Sequence, residues 1–423
     1  DSNGLTLNSP TPWATVRGLS IHSFLPGGSY NGGAQVKTTG QASRVAGNYI
    51  GLKPDGTAGA VSQYAGVWDT GTSTDVGGTF RSQRNVISGL AMGVYVPAGT
   101  GLQIHGNNIG TDPAATASIG NNAGIQVTGG SNTQVIAPAA GPLSNVIAGN
   151  QSGIYATGGS VSVQGNYIGT NGTIAIANVH EGINLQMNGS GPNTITGNVI
   201  VASGTPTDAA VTIDVHTDGV SIANNFIGQL PNGTPMGNGG PGIRFIDSSN
   251  AQVSGNTISH NAGVGIIVAG TSTADHLENN RFDTNTGIDI DLGNDGPTAN
   301  DAGDGDTGPN DLQNWPVITA SASLNTTTFT YLVDSAAGGP FSVQVFVGAS
   351  CNAAKAAGSF GTFTVAGQTP GNWVYPASLE GSWVTGIATN AAGSTSEFAP
   401  CVQVAGPAPT FSVQPTNVVA GVV

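Results

Sequence analysis

The amino-acid sequence predicts an all-β protein, in which a parallel β-helix of about ten coils is followed by an antiparallel, immunoglobulin-like β-sandwich. The first observation is a repeat: a motif of Asn, a variable residue and Ile ends at Ile50, Ile109, Ile168 and Ile227, each 59 residues after the previous one. A fixed period is the signature of a repeat architecture. The second observation is a change in the pattern of apolar residues after Trp315.

Each 59-residue repeat contains two structural units, because further copies of the motif end at Ile87 and Ile147, about halfway between the others. Each unit holds three short apolar alternations, such as those at 124–127, 133–135 and 145–147. Three short strands per unit are typical of one coil of a parallel β-helix, with alternate side chains pointing inward and Gly or Asn at the bends. We therefore expect ladders of stacked Ile and stacked Asn along the rod.

The composition disfavours several classes of protein. Gly accounts for 67 of 423 residues but does not occupy every third position, which excludes a collagen helix. No apolar run approaches the roughly 18 residues of a membrane-spanning helix. The net charge of −14, from 9 Lys and Arg against 23 Asp and Glu, repels phosphate. We therefore expect no nucleic-acid partner and no membrane-spanning segment.

We divide the chain into five segments. They are an N-terminal cap (1–15), the β-helix (16–292), an acidic linker with a possible calcium site (293–316), the sandwich (317–404) and a linker with a strand-like tail (405–423). About seven short strands fit into the sandwich. We expect the sandwich to cover the last coil of the β-helix, whose open edge would otherwise promote aggregation.

Seven Asp residues lie close together around the acidic linker, with Gly between them and no Lys or Arg nearby. A hard cation bound by oxygen ligands, most simply Ca²⁺, would balance their charge. The spacing does not match an EF-hand loop, and a solvated acidic linker is the alternative. The candidate ligands are Asp289, Asp291, Asp295, Asp301, Asp304, Asp306 and Asp311.

The chain contains two Cys residues, Cys351 and Cys401. A disulfide between them would fit an oxidising compartment and would contribute about 4 kcal/mol through the loop that it closes. Two buried thiols are the alternative.

Several segments together resemble secreted bacterial right-handed parallel β-helix repeat proteins. These segments are the loops after the Ile-Gly pairs, residues 287–296, residues 300–310 with 312–314, and residues 395–398 before Cys401. The resemblance spans nearly all of residues 16–404 and implies a right-handed helix and an extracellular or cell-surface setting. It implies no single activity, because such rods serve as lyases, hydrolases, adhesins and structural surface proteins.

Little in the sequence favours catalysis. Pectin-hydrolysing β-helices place several Asp on one face, with a His and an Arg-Ile-Lys triplet nearby, and this sequence has no Arg-Ile-Lys and no Asp-Asp pair. The best catalytic candidates are Asp214, His216 and Arg244, with Asp218 and Asp247 nearby, which would suit a lyase with a base and a cation. A polar outer strand face is the alternative interpretation.

An outward column of side chains is predicted two positions after a repeated Gly. Its aromatic members, Trp68, Tyr95 and Tyr155, are flanked by amides and would suit a sugar face or a protein partner. Stacking for stability alone is the alternative. The full predicted column is Trp68, Tyr95, Gln126, Tyr155, Asn184, Thr212, Arg244, Ile267 and Asp289.

The tail at 410–423 is apolar and β-prone and follows a Pro-rich linker. It would either add a strand to a neighbouring copy, which would build filaments, or begin a following domain. We therefore predict a non-catalytic extracellular structural or adhesive surface protein, with self-association, other surface proteins or polysaccharide as its partners. A polysaccharide lyase, or another carbohydrate-active enzyme acting on the β-helix face, is the alternative.

Overall fold

A computed structural model describes residues 3–8, 14–24, 33–59, 62–137, 143–187, 192–214, 216–336 and 338–407. Over these residues the chain forms a parallel β-helix followed by two small antiparallel sheets, which confirms the predicted fold class. Residues 408–423, which contain the strand-like tail, lie outside the described residues, as do parts of the predicted cap.

Three parallel sheets form the β-helix, and each coil contributes one strand to each sheet in turn. The first sheet has 11 described strands: Leu5–Leu7, Ala34–Thr38, Ser62–Asp69, Leu90–Val96, Ala123–Thr128, Ser152–Gly158, Ile183–Leu185, Val211–Asp214, Ile243–Ile246, Ile266–Ala269 and Ile290–Leu292. The second has nine: Thr15–Arg17, Arg44–Ala46, Asp75–Gly77, Gln103–His105, Thr133–Ile136, Val161–Gln164, Thr194–Thr196, Ser221–Ala223 and Gln252–Ser254. The third has ten: Ser20–Ile21, Tyr49–Ile50, Val86–Ile87, Asn108–Ile109, Val146–Ile147, Tyr167–Ile168, Val199–Ile200, Phe226–Ile227, Thr257–Ser259 and Arg281–Asp283.

The repeated Ile residues form the predicted inner ladder on the third sheet. Ile50, Ile87 and Ile109 are fully buried, and they pair in register from coil to coil. The Gly that follows the Ile is required at this bend. Gly228, for example, has φ +95°, and a Cβ there would lie 1.7 Å from the backbone oxygen of Ser259. The repeat motif therefore encodes both the core contact and the turn that follows it.

Buried Asn side chains join one coil to the next at the bend before the third sheet. The side-chain oxygen of Asn145 accepts the backbone N–H of Asn107 at 3.0 Å, and Asn107 Nδ2 donates to the backbone oxygen of Val76 at 2.9 Å. The same pattern continues through nine coils. The members of this first Asn ladder are Asn48, Asn85, Asn107, Asn145, Asn166, Asn198, Asn225, Asn256 and Asn280.

A second Asn ladder lies at the bend before the first sheet. Asn121 Nδ2 donates to Asn150 Oδ1 at 3.0 Å and to the Ile87 carbonyl at 3.1 Å, and its Oδ1 accepts the backbone N–H of Leu90. Ser203 takes the place of Asn on one coil. The members of the second ladder are Asn121, Asn150, Asn178, Ser203, Asn238, Asn261 and Asn285.

The C-terminal part is a sandwich of two antiparallel sheets with seven described strands. One sheet contains Val317–Ala322, Thr327–Leu332 and Gly371–Tyr375, and the other contains Gly361–Val365, Phe341–Gly348, Trp383–Thr389 and Val402–Gln403. A short helix, Cys351–Ala357, was not expected from the sequence. Two 3₁₀ segments, Arg81–Gln83 and Pro309–Leu312, complete the secondary structure of the described residues. None of the described helices is long and apolar enough to cross a membrane.

A disulfide joins Cys351 to Cys401, whose Cα atoms lie 5.9 Å apart. It ties the N-terminus of the short helix to the end of the sandwich. Both Cys residues of the chain are used in this bond.

The sandwich packs on the last coil of the β-helix. Phe346, Ala354 and Ile387 of the sandwich belong to the same buried cluster as the β-helix core. Phe398 packs edge-on between Phe282 and Phe346, with ring centroids 5.5 and 5.1 Å away. The core therefore continues from the rod into its cap.

Hydrogen bonds from the sandwich also pair the open edge of the last coil. Gln344 accepts the backbone N–H of Asn279 at 2.9 Å and donates to Asn279 Oδ1 at 2.9 Å. Thr395 Oγ1 accepts the backbone N–H of Leu277 at 2.9 Å. The edge that would otherwise invite strand addition is thus covered.

We predict that Asn121→Ala destabilises the protein far more than Asn122→Ala. Asn121 is 2% exposed, and its loss leaves the Leu90 N–H without its side-chain acceptor and removes one of the two hydrogen bonds to the Ile87 carbonyl, which keeps the N–H of Gly110. Such a loss costs about 1–3 kcal/mol of the free energy of unfolding for each buried group. Asn122 is exposed, so its truncation should change that free energy by less than about 0.5 kcal/mol. Urea denaturation of both variants measures the difference, and equal destabilisation would contradict the ladder's role.

Candidate functional site

The outer face of the first sheet carries one column of side chains in register. In chain order the column is Lys37, Trp68, Tyr95, Gln126, Tyr155, Asn184, Thr212, Arg244, Ile267 and Asp291. This pairing matches the predicted column from Trp68 to Ile267. The predicted last member, Asp289, is wrong. Asp289 occupies the place that Gly265 takes on the preceding strand, so the count from Gly287 was two residues short.

The aromatic end of the column is a stack of three side chains. The rings of Trp68 and Tyr95 meet edge to face with centroids 5.0 Å apart, and Lys37 Nζ lies 5.2 Å from the Trp68 ring centre. Tyr95 is further held by Thr128, whose Oγ1 donates to the Tyr95 hydroxyl at 3.2 Å. These contacts fix the rings against the sheet and stabilise the rod itself.

A groove of about 410 Å³ opens over the middle of the column. Tyr155 forms one side, and Gln126 and Asn184, one strand away on either side, flank it. The remaining lining comes from the ends of strands and from the loops before them. The complete lining is Ala91, Met92, Asn122, Ala123, Gln126, Ser152, Tyr155, Glu181 and Asn184.

Some of the polar groups in the groove already form hydrogen bonds within the protein. Asn184 Nδ2 donates to Glu181 Oε1 at 3.1 Å, and the Tyr155 hydroxyl donates to Gln186 Oε1 at 3.4 Å. Asn184 is 6% exposed, yet its Oδ1 has no partner among the described residues. A buried amide oxygen without a partner is unusual in a folded protein.

The sequence predicts the column, but only three of the nine residues that line the groove lie on it. Met92, Asn122 and Ser152 are not on the column; they lie near the starts of strands, where the chain enters the first sheet. Glu181 belongs to a loop. The period of two along a strand identifies which residues point outward, but it does not show which loop residues fold back beside them.

The predicted catalytic residues lie on or just after two paired strands, Val211–Asp214 and Ile243–Ile246. The strand ends at Asp214, and His216 lies beyond it with φ +55°, so these two residues do not alternate on one strand as expected. Arg244 donates to the backbone oxygen of Thr207 at 2.7 Å.

The two neighbouring acids of that group serve backbone turns. Asp218 Oδ1 accepts the N–H of Ser249 at 2.7 Å, and Asp247 Oδ1 accepts the N–H of Thr271 at 2.8 Å. The hydrogen bonds from Thr271 hold the pKa of Asp247 below its usual range. A carboxylate whose pKa is lowered in this way is a poor general base at neutral pH.

The structure divides the seven predicted calcium ligands. Asp301, Asp304 and Asp306 place carboxylate oxygens within 4.8 Å of one another. The other four lie outside this group. Asp289 forms an ion pair with Lys355, and Asp311 accepts a hydrogen bond from Ser394 Oγ at 2.7 Å. Asp291 accepts the N–H of Asp295 at 3.2 Å, and the Asp295 side chain is exposed.

The three grouped carboxylates fit a cation in part. Asp304 accepts the Asn314 N–H and Gln313 Nε2, both at 2.8 Å, which leaves fewer of its lone pairs for a metal. Asp306 Oδ1 is buried and has no partner among the described residues. Burial and the negative charges of Asp301 and Asp304 raise the pKa of Asp306. A bound cation would offset that repulsion.

Another carboxylate is buried where the β-helix meets the sandwich. Asp275 is fully buried, its Oδ1 accepts the N–H of Ala251 at 2.9 Å, and its Oδ2 has no partner among the described residues. Asn310 of the linker contacts its backbone on both sides. Burial raises the pKa of Asp275 to about 7, and the nearby charge of Asp218 acts in the same direction.

Comparison with known proteins identifies the repeat. The family model described as "Right handed beta helix region" matches residues 61–282 and 209–301. The two matches together run from residue 61 to residue 301, which is more than half of the 423 residues. No curated protein matches the chain.

We predict that Asp275 makes the protein less stable as the pH rises from about 4 to about 7. Its ordinary pKa of 3.8 is raised to about 7 on folding, so between these values the folded state holds a proton that the unfolded state has lost. This group alone would lower the free energy of unfolding by up to about 1.4 kcal/mol per pH unit, with no further loss above its folded pKa.

Thermal denaturation of wild type and Asp275→Asn between pH 4 and 8 measures this effect. Other buried acids, such as Asp69 and Glu397, are unchanged in the variant and cancel in the comparison. The Asn variant should show a flatter pH dependence, and parallel curves would contradict the assignment.

Proposed function

We propose that this chain, which belongs to the right-handed β-helix family, is a non-catalytic extracellular adhesive surface protein that binds an uncharged glycan in the groove on its first sheet. The rod would hold the groove rigidly, and the sandwich would close the rod's end. Family membership alone decides neither an enzymatic nor a non-enzymatic role.

The observation that carries this proposal is the chemistry of the groove. Its nine lining residues include Met92 and Tyr155 as apolar surface and three amides as hydrogen-bonding groups. They include one carboxylate, Glu181, and no Lys, Arg or His. Aromatic and amide groups recognise sugar rings through stacking and hydroxyl contacts. Paired acids, or a base beside a cation, are the groups that hydrolysis or elimination would require.

The disulfide supports an extracellular setting, because such bonds persist in oxidising compartments.

Filament formation through strand exchange by the tail at 410–423 is a further part of this proposal. Ala405, just before the tail, pairs with Ser321 at the edge of the three-stranded sheet. Strand addition takes place at the edge of a sheet, and the described part of the chain ends beside such an edge.

We predict that Tyr155→Ala weakens glycan binding about tenfold, because the variant loses the aromatic wall of the groove. Phe80→Ala is the matched control, since Phe80 is 66% exposed elsewhere on the rod. Binding of neutral oligosaccharides from an immobilised array, followed by titration calorimetry of the best ligand, gives the comparison. Equal binding by both variants, or no binding by the wild type, would reject the groove as the site.

The same preparations test the lyase alternative. Acidic polysaccharides incubated with the protein should give no increase in absorbance from unsaturated products. Turnover that Arg244→Ala abolishes would replace our proposal with the enzymatic one.

We also propose that Ca²⁺ binds Asp301, Asp304 and Asp306, and we predict that a chelator lowers the melting temperature. Calcium at about a hundredfold above its Kd would add about 2–3 kcal/mol to the free energy of unfolding. Asp304→Asn combined with Asp306→Asn should remove the response to chelator, whereas Asp295→Asn, an exposed acid outside the cluster, should retain it. A wild-type melt that chelator leaves unchanged would exclude the site.

A further inference from the structure

A second cleft, of about 370 Å³, lies where the third sheet meets the sandwich, and it shares no residue with the groove. Its floor is the outer face of three neighbouring strands, on which Phe226, Thr257 and Arg281 lie side by side. The loop at 229–233 forms one wall, and Ala356 of the short helix forms the opposite wall. The sandwich contributes one residue of the lining, Ala356, and the β-helix contributes the others.

Arg281 brings into this cleft a positive charge that forms no ion pair with the described residues. Its guanidinium has no hydrogen bond or ion pair with any of the described residues, although the chain carries a net charge of −14. The nearest Lys of the helix, Lys355, is already paired with Asp289. The side chain packs along Gly358, where a Cβ would lie 3.2 Å from Arg281 Nε.

The loop wall presents amide donors at fixed positions. Gln229 Oε1 accepts from Ser259 Oγ at 2.8 Å, and Asn232 Oδ1 accepts the N–H of Thr234 at 3.0 Å. Both amide oxygens are therefore occupied, while neither amide nitrogen has an acceptor among the described residues. Backbone hydrogen bonds between Leu230 and Thr234 hold the loop as a tight turn.

The cleft therefore offers a cation and two amide donors beside the ring of Phe226. This set recognises a ligand rich in acceptors, with one anionic group and an apolar ring face. Asp283 lies two residues after Arg281 on the same strand and on the same side, and it supplies an acceptor for ligand hydroxyls. No ion pair joins Asp283 to Arg281 in the described structure.

We propose that this cleft binds an acidic sugar residue, with the carboxylate on Arg281, hydroxyls on Gln229, Asn232 and Asp283, and the ring face on Phe226. The site is separate from the groove and does not rest on the function proposed for it. Recognition here would occur at the end of the rod and not along its side.

Glucuronic acid and glucose are the probes, because they differ only in the carboxylate. Titration followed by saturation-transfer NMR on the full chain should show glucuronic acid binding at least about tenfold more tightly than glucose. Arg281→Gln should remove that preference, and Asn232→Ala should weaken binding of the acid. Arg81→Gln, which removes an exposed Arg elsewhere on the rod, should keep the preference for glucuronic acid. Added salt should weaken binding of the acid in the wild type.

Equal binding of the two sugars, an acid preference that survives in Arg281→Gln, or no binding of either sugar would each overturn the proposal. Melting temperatures of all variants accompany the titrations. Because Arg281 and Asn232 are both exposed, the substitutions should leave the fold intact, and a folded Arg281→Gln that retains the preference is decisive.

Discussion

The two Asn ladders are the interaction on which the rest of the structure depends. Each coil must turn sharply between short strands, and each turn buries backbone N–H and C=O groups that regular strand pairing does not reach. A buried Asn satisfies these groups with one side chain: Asn107, for example, bonds the next Asn and the carbonyl of Val76. Because each ladder step needs a matching polar side chain at the same place on the next coil, the ladders fix the register of the coils.

Once the register is fixed, the residues on the inner face and those on the outer face are subject to different constraints. Inside, the same Ile recurs on successive coils because its neighbours above and below are also Ile, and a change in size would leave a cavity. Outside, successive positions of one column change from Trp68 through Gln126 to Arg244 without disturbing the pairing. The groove is one stretch of this variable column, and its distinct chemistry comes at little cost to the fold.

The end of the rod is where the repeat must be replaced by other contacts. At the end of the first ladder, Gln344 of the sandwich forms a hydrogen bond with Asn279. At the end of the second ladder, Asn285 donates a hydrogen bond to Asp289, which forms an ion pair with Lys355. These replacements use charged and polar side chains from outside the repeat. As a result, the buried Asp275, the ion pair of Lys355 and the unpaired Arg281 all lie near this junction.

The parallel β-helix, its repeat, its inner ladder and most of the outer column can be predicted from the amino-acid sequence. These features depend on local periodicity, which recurs at a fixed spacing along the chain. The contacts between side chains of distant segments become visible in the folded chain. The sequence did not separate Asp289 from Asp301 and Asp304, place Glu181 beside Tyr155, or bring the short helix to Arg281. Such contacts depend on how loops and the sandwich fold back onto the rod, and no periodicity in the sequence encodes that.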